Sequence, residues 1–393
     1  MRNRRIYLVS SMAAMLFMGV LYAWSILKVP FAEEFSWTAG QLGLNFTLTI
    51  SVFAVGGFVG GQLIRCLGVK PALVLSAILV CTGFCGCSFL TGGSILPLYL
   101  LYGCVSGLGI GIAYNVIITA TLSWFVDMRG LCSGLMMMCF GASTLLLGTF
   151  ASGMFRDLGW RMTFRVLGAV IALLMLLSAT ILKIKPKQQA KVARTKTDIY
   201  KKGSFWLFCL YVIALSSGAS MVISFSRDLS LSIGSGEGLA TTLVGVLAVC
   251  NGLGRLLCGY LSDRFSVTKV MVIAGITASV AACWLLYTVS FGGVPSCIVG
   301  MCATGVAYGF GPTVISSFVA KSYSMENFSV NFSLASFTLI PCSFAATIGG
   351  IMVTKTGGFQ SALILSVVLA VFSILLAITT GKYAQRDSAR EAM

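Results

Sequence analysis

Apolar residues along this chain neither alternate with polar ones nor recur as a helical stripe. They run on in blocks of about 20, divided by short polar breaks, the length a helix needs to cross a hydrocarbon core. Twelve such blocks can be read, at 6–29, 42–64, 72–90, 97–122, 131–153, 164–182, 204–225, 238–261, 268–290, 296–319, 332–353 and 359–381. The pattern predicts an all-α membrane protein with twelve spans. The first block follows Arg2, Arg4 and Arg5 and has no small-residue cleavage site before Tyr22, so it reads as a retained span and not a removed signal peptide.

The longest polar break, "KIKPKQQAKVARTKTDIYKKG", divides the spans six and six. It predicts an N-terminal six-helix bundle over 1–182, a basic linker over 183–203 and a C-terminal bundle over 204–393. A displacement of 198 residues carries Gly61 and Leu63 of "GQLIRCLGVK" onto Gly259 and Leu261 of "GYLSDRFSVTK", and carries Gly107 and Gly111 onto Gly305 and Gly309. The halves therefore read as two six-helix repeats, an arrangement in which a substrate site lies near the midplane and access alternates as the halves rock.

Composition agrees: 58% hydrophobic against 10% charged side chains excludes a soluble core. The excess of 27 basic over 11 acidic residues could suit nucleic acid, but most of it lies between spans. With the N-terminus inside, 20 of the 27 basic residues fall in cytoplasmic segments, so both termini are expected to be cytoplasmic and the protein to be a multi-pass component of the cell membrane. The basic linker then reads as a solvated segment attracted to anionic headgroups, with no nucleic acid implied.

Against this background Arg255 stands out. All eleven acidic residues lie in loops or at span ends, the chain has no His, and Arg255 is the one charged side chain more than about a turn inside a span. An arginine at the centre of a spanning helix costs roughly 2.5–3.5 kcal/mol on insertion scales, which makes it a functional-site candidate. The alternatives are that it snorkels to the nearby face or pairs with Asp263. With no carboxylate in the membrane to neutralise it, Arg255 points to an anionic substrate held by a planar two-pronged hydrogen bond. Asn251, four residues earlier, shares its helix face and either adds a hydrogen bond or makes an interhelical contact. Tyr114, after the Gly107, Gly109, Gly111 series, and Tyr308, in the repeat-related "GVAYGFGP", could present hydroxyls to a carboxylate, pack, or anchor at an interface.

The pattern G-x-L-x-D-R at Gly259, Leu261, Asp263 and Arg264, with a degraded copy between spans 2 and 3, resembles the loop signature of the major facilitator superfamily. Within it, "LYAWSILKVPFAEEFSWT", "GLGIGIAYNVIITATLSWFVDMRGLCSG" and "NGLGRLLCGYLSDRF" resemble the oxalate:formate antiporter family and its monocarboxylate transporter relatives. The resemblance implies that Arg255 binds the substrate carboxylate, that Tyr22 and Tyr114 line the cavity, and that Asp263 and Arg264 serve a gate. The first-loop copy departs from the signature, because Arg65 occupies its Asp position, so no gate contact carries over there. The oxalate-transporting members carry a second cation in span 11, and a gapless comparison from Asn331 puts Leu339 at that place.

Other features read as structural. "GGFVGG" and the heptad-spaced Gly134, Gly141 and Gly148 suit close helix approach. The fourteen cysteines lie almost entirely within spans, without His or acidic partners at Cys81, Cys85 and Cys87, so neither a metal site nor a disulfide framework is expected. There is no G-x-x-x-x-G-K loop to use ATP, and no intramembrane acid pair or His for an enzyme. No cofactor is expected. The expectation is a secondary active transporter of a small organic anion, a monocarboxylate of the lactate, pyruvate, formate or acetate type, working with a counter-transported anion or a proton. The alternatives are an oxalate or dicarboxylate:formate antiporter and a drug or cation exporter of the same superfamily.

Overall fold

The computed structural model describes residues 2–184, 198–323 and 325–391, and 185–197 of the expected linker lie outside them. Among these residues twelve helices are long and apolar enough to cross a membrane: span 1, Arg4–Phe35; span 2, Gly40–Cys66; span 3, Val69–Cys87; span 4, Leu96–Leu122; span 5, Arg129–Gly148; span 6, Gly153–Ile181; span 7, Gly203–Ser224; span 8, Glu237–Arg264; span 9, Val267–Phe291; span 10, Val294–Ser322; span 11, Met325–Thr356; span 12, Gln360–Asp387. Several run beyond the apolar blocks, because helical hydrogen bonds continue until something caps them. Span 2 opens on such a cap: the Thr38 side chain accepts from Gln41 N at 3.3 Å while the Gln41 side chain accepts from Thr38 N at 2.9 Å.

Spans 1 and 11 are each interrupted near the middle. Span 1 tightens into a 3-10 turn at Gly19–Ala23. Span 11 consists of a helix over Phe328–Ser336 and another over Leu339–Thr356. Pro341 accounts for the second break, since it has no N–H for the Phe337 carbonyl and its ring crowds that carbonyl.

Packing divides the chain into two compact units. The first comprises Met1–Val126, Cys139–Lys196 and Met325–Phe337; the second comprises Asp127–Met138, Thr197–Ser324 and Thr338–Met393. The opening turns of span 5 thus belong with the later spans, and the opening helix of span 11 with the earlier ones.

Within each unit the same residues make the same close contacts. In the first, Cβ atoms on Gly56, Gly107 and Gly111 would lie 2.4, 2.9 and 2.1 Å from the carbonyl oxygens of Leu108, Thr49 and Phe53. In the second, Cβ atoms on Gly254, Gly305 and Gly309 would lie 2.2, 2.6 and 2.3 Å from those of Val306, Leu247 and Asn251. Every partner is displaced by the same 198 residues. Spans 2 and 4 therefore cross as spans 8 and 10 do, backbone against backbone, and the duplication read from the sequence is a duplication of packing.

The first unit also holds a buried polar cluster. The Asn115 amide of span 4 donates to the Ser329 carbonyl at 2.9 Å and to Ser333 Oγ at 2.5 Å, while its oxygen accepts from Ser329 Oγ at 2.5 Å and Thr119 Oγ1 at 3.1 Å. Ser333 Oγ donates in turn to the Gly57 carbonyl of span 2 at 2.8 Å. All four hydrogen-bonding valences of the amide are used, as burial requires.

Candidate functional site

In the second unit, Asn251, Arg255, Gly259 and Asp263 follow one another at four-residue steps along span 8, which places them on one face. Arg255 is only 2% exposed. Its Nε donates to Asn251 Oδ1 at 3.2 Å and its Nη1 to the Met137 carbonyl at 2.7 Å. Among the described residues Nη2 has no acceptor and no carboxylate ion-pairs with the guanidinium. The sequence alternatives of a snorkelling side chain and a pair with Asp263 do not describe this arrangement. Arg255 is buried, and Asp263 has other partners.

Those partners begin span 5. The Asp263 carboxylate accepts from Gly130 N at 2.8 Å and Leu131 N at 2.7 Å, two of the N–H groups that an α-helix start leaves without an internal acceptor. Between the two polar contacts the backbones touch. A Cβ on Gly130 would lie 2.3 Å from the Gly259 carbonyl oxygen, and one on Gly134 would lie 2.7 Å from that of Arg255. Ser316 Oγ of span 10 adds a bond to Ser133 Oγ at 3.0 Å. Lys321 Nζ donates to the carbonyls of Ser262 and Phe265, closing the C-terminal end of span 8. Arg264 is turned aside, its guanidinium carbon 5.1 Å from the Tyr260 ring centroid.

Asn251 therefore acts on Arg255: by accepting from Nε it fixes the plane of the guanidinium. Tyr308 of span 10 also belongs to the second unit and is half-buried. Tyr22 and Tyr114 belong to the first, where both meet Phe140. Tyr22, in the interrupted part of span 1, has its ring centroid 5.5 Å from that of Phe140 at an edge-on 84°. Tyr114 lies 5.0 Å from Phe140, 5.1 Å from Phe53 and 6.1 Å from Phe332. The structure thus brings Arg255 together with Asn251, and Tyr22 with Tyr114, and joins three phenylalanines to the tyrosines.

Sequence reasoning missed Met137, whose contribution is a backbone oxygen, and missed Asn115, whose signal was an amide in an otherwise apolar span. Phe53, Phe140 and Phe332 carried no signal beyond hydrophobicity.

A family profile described as Major Facilitator Superfamily matches residues 7–323 and 207–392. An uncharacterised MFS-type transporter of Escherichia coli strain K12, YhjX, is 26% identical over 85% of this chain and 84% of its own length. The oxalate:formate antiporter of Oxalobacter formigenes is 24% identical over 95% and 91%. Monocarboxylate transporter 12-B of Danio rerio is 23% identical over 93% and 84%. Among solved structures, the proton:xylose symporter XylE superposes with a TM-score of 0.75 at 12% identity, over 96% of each chain, a likeness of fold.

Proposed function

From the premise that this chain belongs to the Major Facilitator Superfamily and is a multi-pass secondary transporter, we propose that its cargo is a small monocarboxylate of the lactate, pyruvate, formate or acetate type. The observation that carries this reading is Arg255, a buried guanidinium without a counter-carboxylate among the described residues and with Nη2 unoccupied there. A charge so placed is stabilised by an anion, and charge-assisted bonds to a carboxylate are about twice as strong as neutral ones. Similarity to an oxalate:formate antiporter and to monocarboxylate transporters supports the same class.

The cargo's carboxylate takes the open side of the guanidinium while Asn251 holds Nε. Tyr308 in the same unit, and Tyr22 and Tyr114 in the first, are the hydroxyl donors assigned to the cargo, and Asp263 and Arg264 serve the gate. No His exists in the chain, and every carboxylate lies in a loop or near a span end, so a proton that crosses does so on the cargo's own carboxylate. Obligatory anion exchange and proton-linked symport both satisfy this, in a protein whose two termini face the cytoplasm.

A second reading, oxalate or another dicarboxylate exchanged for formate, is favoured by the similarity to the Oxalobacter protein. Leu339 weighs against it: an apolar residue opens the second helix of span 11 where that family carries a cation. A dianion facing a single guanidinium would leave one buried charge unpaired, at a cost of several kcal/mol. Uptake into proteoliposomes of labelled formate, acetate, lactate, pyruvate and oxalate, with the internal anion and the pH gradient varied independently, tests both readings. Carboxylate-independent behaviour across the panel would reject the class.

A further inference from the structure

We infer that Arg255 is shared between the cargo and the fold: without an anion its guanidinium fastens the Asp127–Met138 segment to span 8, and an arriving carboxylate displaces the Met137 carbonyl and loosens that segment. The inference rests on the reading of Arg255 as the anion site and adds what binding does.

Span 8 holds the segment by side chains at two points, and Ser316 Oγ of span 10 adds a bond to Ser133 Oγ between them. At its start the Asp263 carboxylate accepts from Gly130 N and Leu131 N. Further along, Nη1 of Arg255 grips the Met137 carbonyl at 2.7 Å. Leu131 and Met137 are separated by about 9 Å of helix at 1.5 Å per residue. Over that length Gly130, Gly134 and Gly259 offer no side chains to interlock, so the two polar ties keep the touching backbones in register. All four contributors on span 8 lie on one face, which makes the anion site and the helix-start cap two ends of one seam.

The two ties differ in kind. Asp263 brings a full charge to its bonds, whereas Met137 offers a neutral carbonyl, and an anionic oxygen is the stronger acceptor for a guanidinium. Nη2, without an acceptor among the described residues, gives the anion a first foothold that breaks nothing. Capture of Nη1 then completes the two-pronged grip and releases Met137. Asn251 retains Nε throughout, so the guanidinium plane does not have to be rebuilt. A transporter without cargo keeps this seam fastened, which favours exchange over uncoupled return.

Hydrogen–deuterium exchange on the full-length protein in nanodiscs reads the seam directly, through peptides covering 127–141, with peptides from 360–387 as an internal reference. Without any anion, Arg255→Gln is expected to raise exchange in 127–138 several-fold over the natural protein and to leave 360–387 unchanged. In the natural protein, whichever of sodium formate, lactate or oxalate raises the melting temperature, against sodium chloride at equal ionic strength, is expected to raise exchange in 127–138 likewise. Natural-level exchange in Arg255→Gln overturns the inference, and so does an anion that binds by melting temperature yet leaves the natural protein slow. If no anion binds while Arg255→Gln exchanges fast, the cargo reading itself fails and the displacement step falls with it. Should Arg255→Gln not be recovered folded, the arms on the natural protein decide alone.

Discussion

Gly309→Ala places one methyl group at the crossing of spans 10 and 8. Its Cβ would lie 2.3 Å from the Asn251 carbonyl oxygen and 2.8 Å from Arg255 N, whereas ordinary contact begins near 3.4 Å. The obstacle is backbone and cannot rotate away, so the helices must part by about 1 Å at the turn that carries the guanidinium. Overpacking of this kind costs typically about 1–3 kcal/mol of stability. The same parting moves the turn of span 8 that carries Arg255 against the Met137 carbonyl it holds at 2.7 Å, so the anion's KM should rise about tenfold, which corresponds to roughly 1.4 kcal/mol. Two measurements on purified protein check this: a melting curve, and initial uptake against anion concentration in proteoliposomes. Gly111→Ala, whose Cβ would meet the Phe53 carbonyl at 2.1 Å, is the matched variant in the first unit and should lose comparable stability. A Gly309→Ala protein with natural melting temperature and natural KM would refute the claim that this crossing positions Arg255.

Further outcomes follow from the same contacts. Arg255→Ala should abolish transport at normal protein levels and Arg255→Lys should weaken or abolish it, because losing a buried charged partner removes about 2–5 kcal/mol of binding; full uptake by Arg255→Ala ends the anion assignment. Oxalate or malonate should compete poorly for monocarboxylate uptake, and Leu339→Lys should improve that competition; oxalate as the best competitor of the natural protein would mean a second cation exists elsewhere. Substrate-free vesicles should show no rapid protein-dependent proton leak under a pH gradient, and a leak abolished by a side-chain substitution would contradict proton movement on the cargo. Asn115→Leu takes the acceptor from the Ser329 hydroxyl, while Ser333 keeps its bond to the Gly57 carbonyl, and should lower unfolding stability by on the order of 2 kcal/mol, read in a melting curve; an unchanged curve would show the cluster to be energetically idle.

The spans were legible because a bilayer demands long apolar runs whatever their internal pattern. The duplication was legible because glycines at helix crossings cannot be replaced without parting the backbones, as Gly107 and Gly111 show against Gly305 and Gly309. Arg255 could be singled out by its isolation in an apolar span. Its partner could not: Met137 serves through a carbonyl, which every residue has, and its place beside span 8 depends on contacts more than a hundred residues apart. The packing of Met325–Phe337 with the earlier spans was hidden for the same reason, although Pro341 marked the break that follows it. Asn115 shows a different failure, since a single amide in an apolar span does not reveal which partners will satisfy it.

The common displacement of 198 residues also separates packing from chemistry. Arg255 stands at the place of Gly57, and Asp263 at the place of Arg65, while the glycines beneath them keep their contacts in both copies. A Cβ on Gly57 would find nothing nearer than 3.9 Å, so the crossing itself does not demand glycine there. Substitutions at the crossing glycines should therefore produce a map of damage that overlays itself when one half of the chain is laid on the other. Substitutions at the charged positions should produce a map with no mirror, because one copy of the helix carries a buried guanidinium where the other carries a glycine.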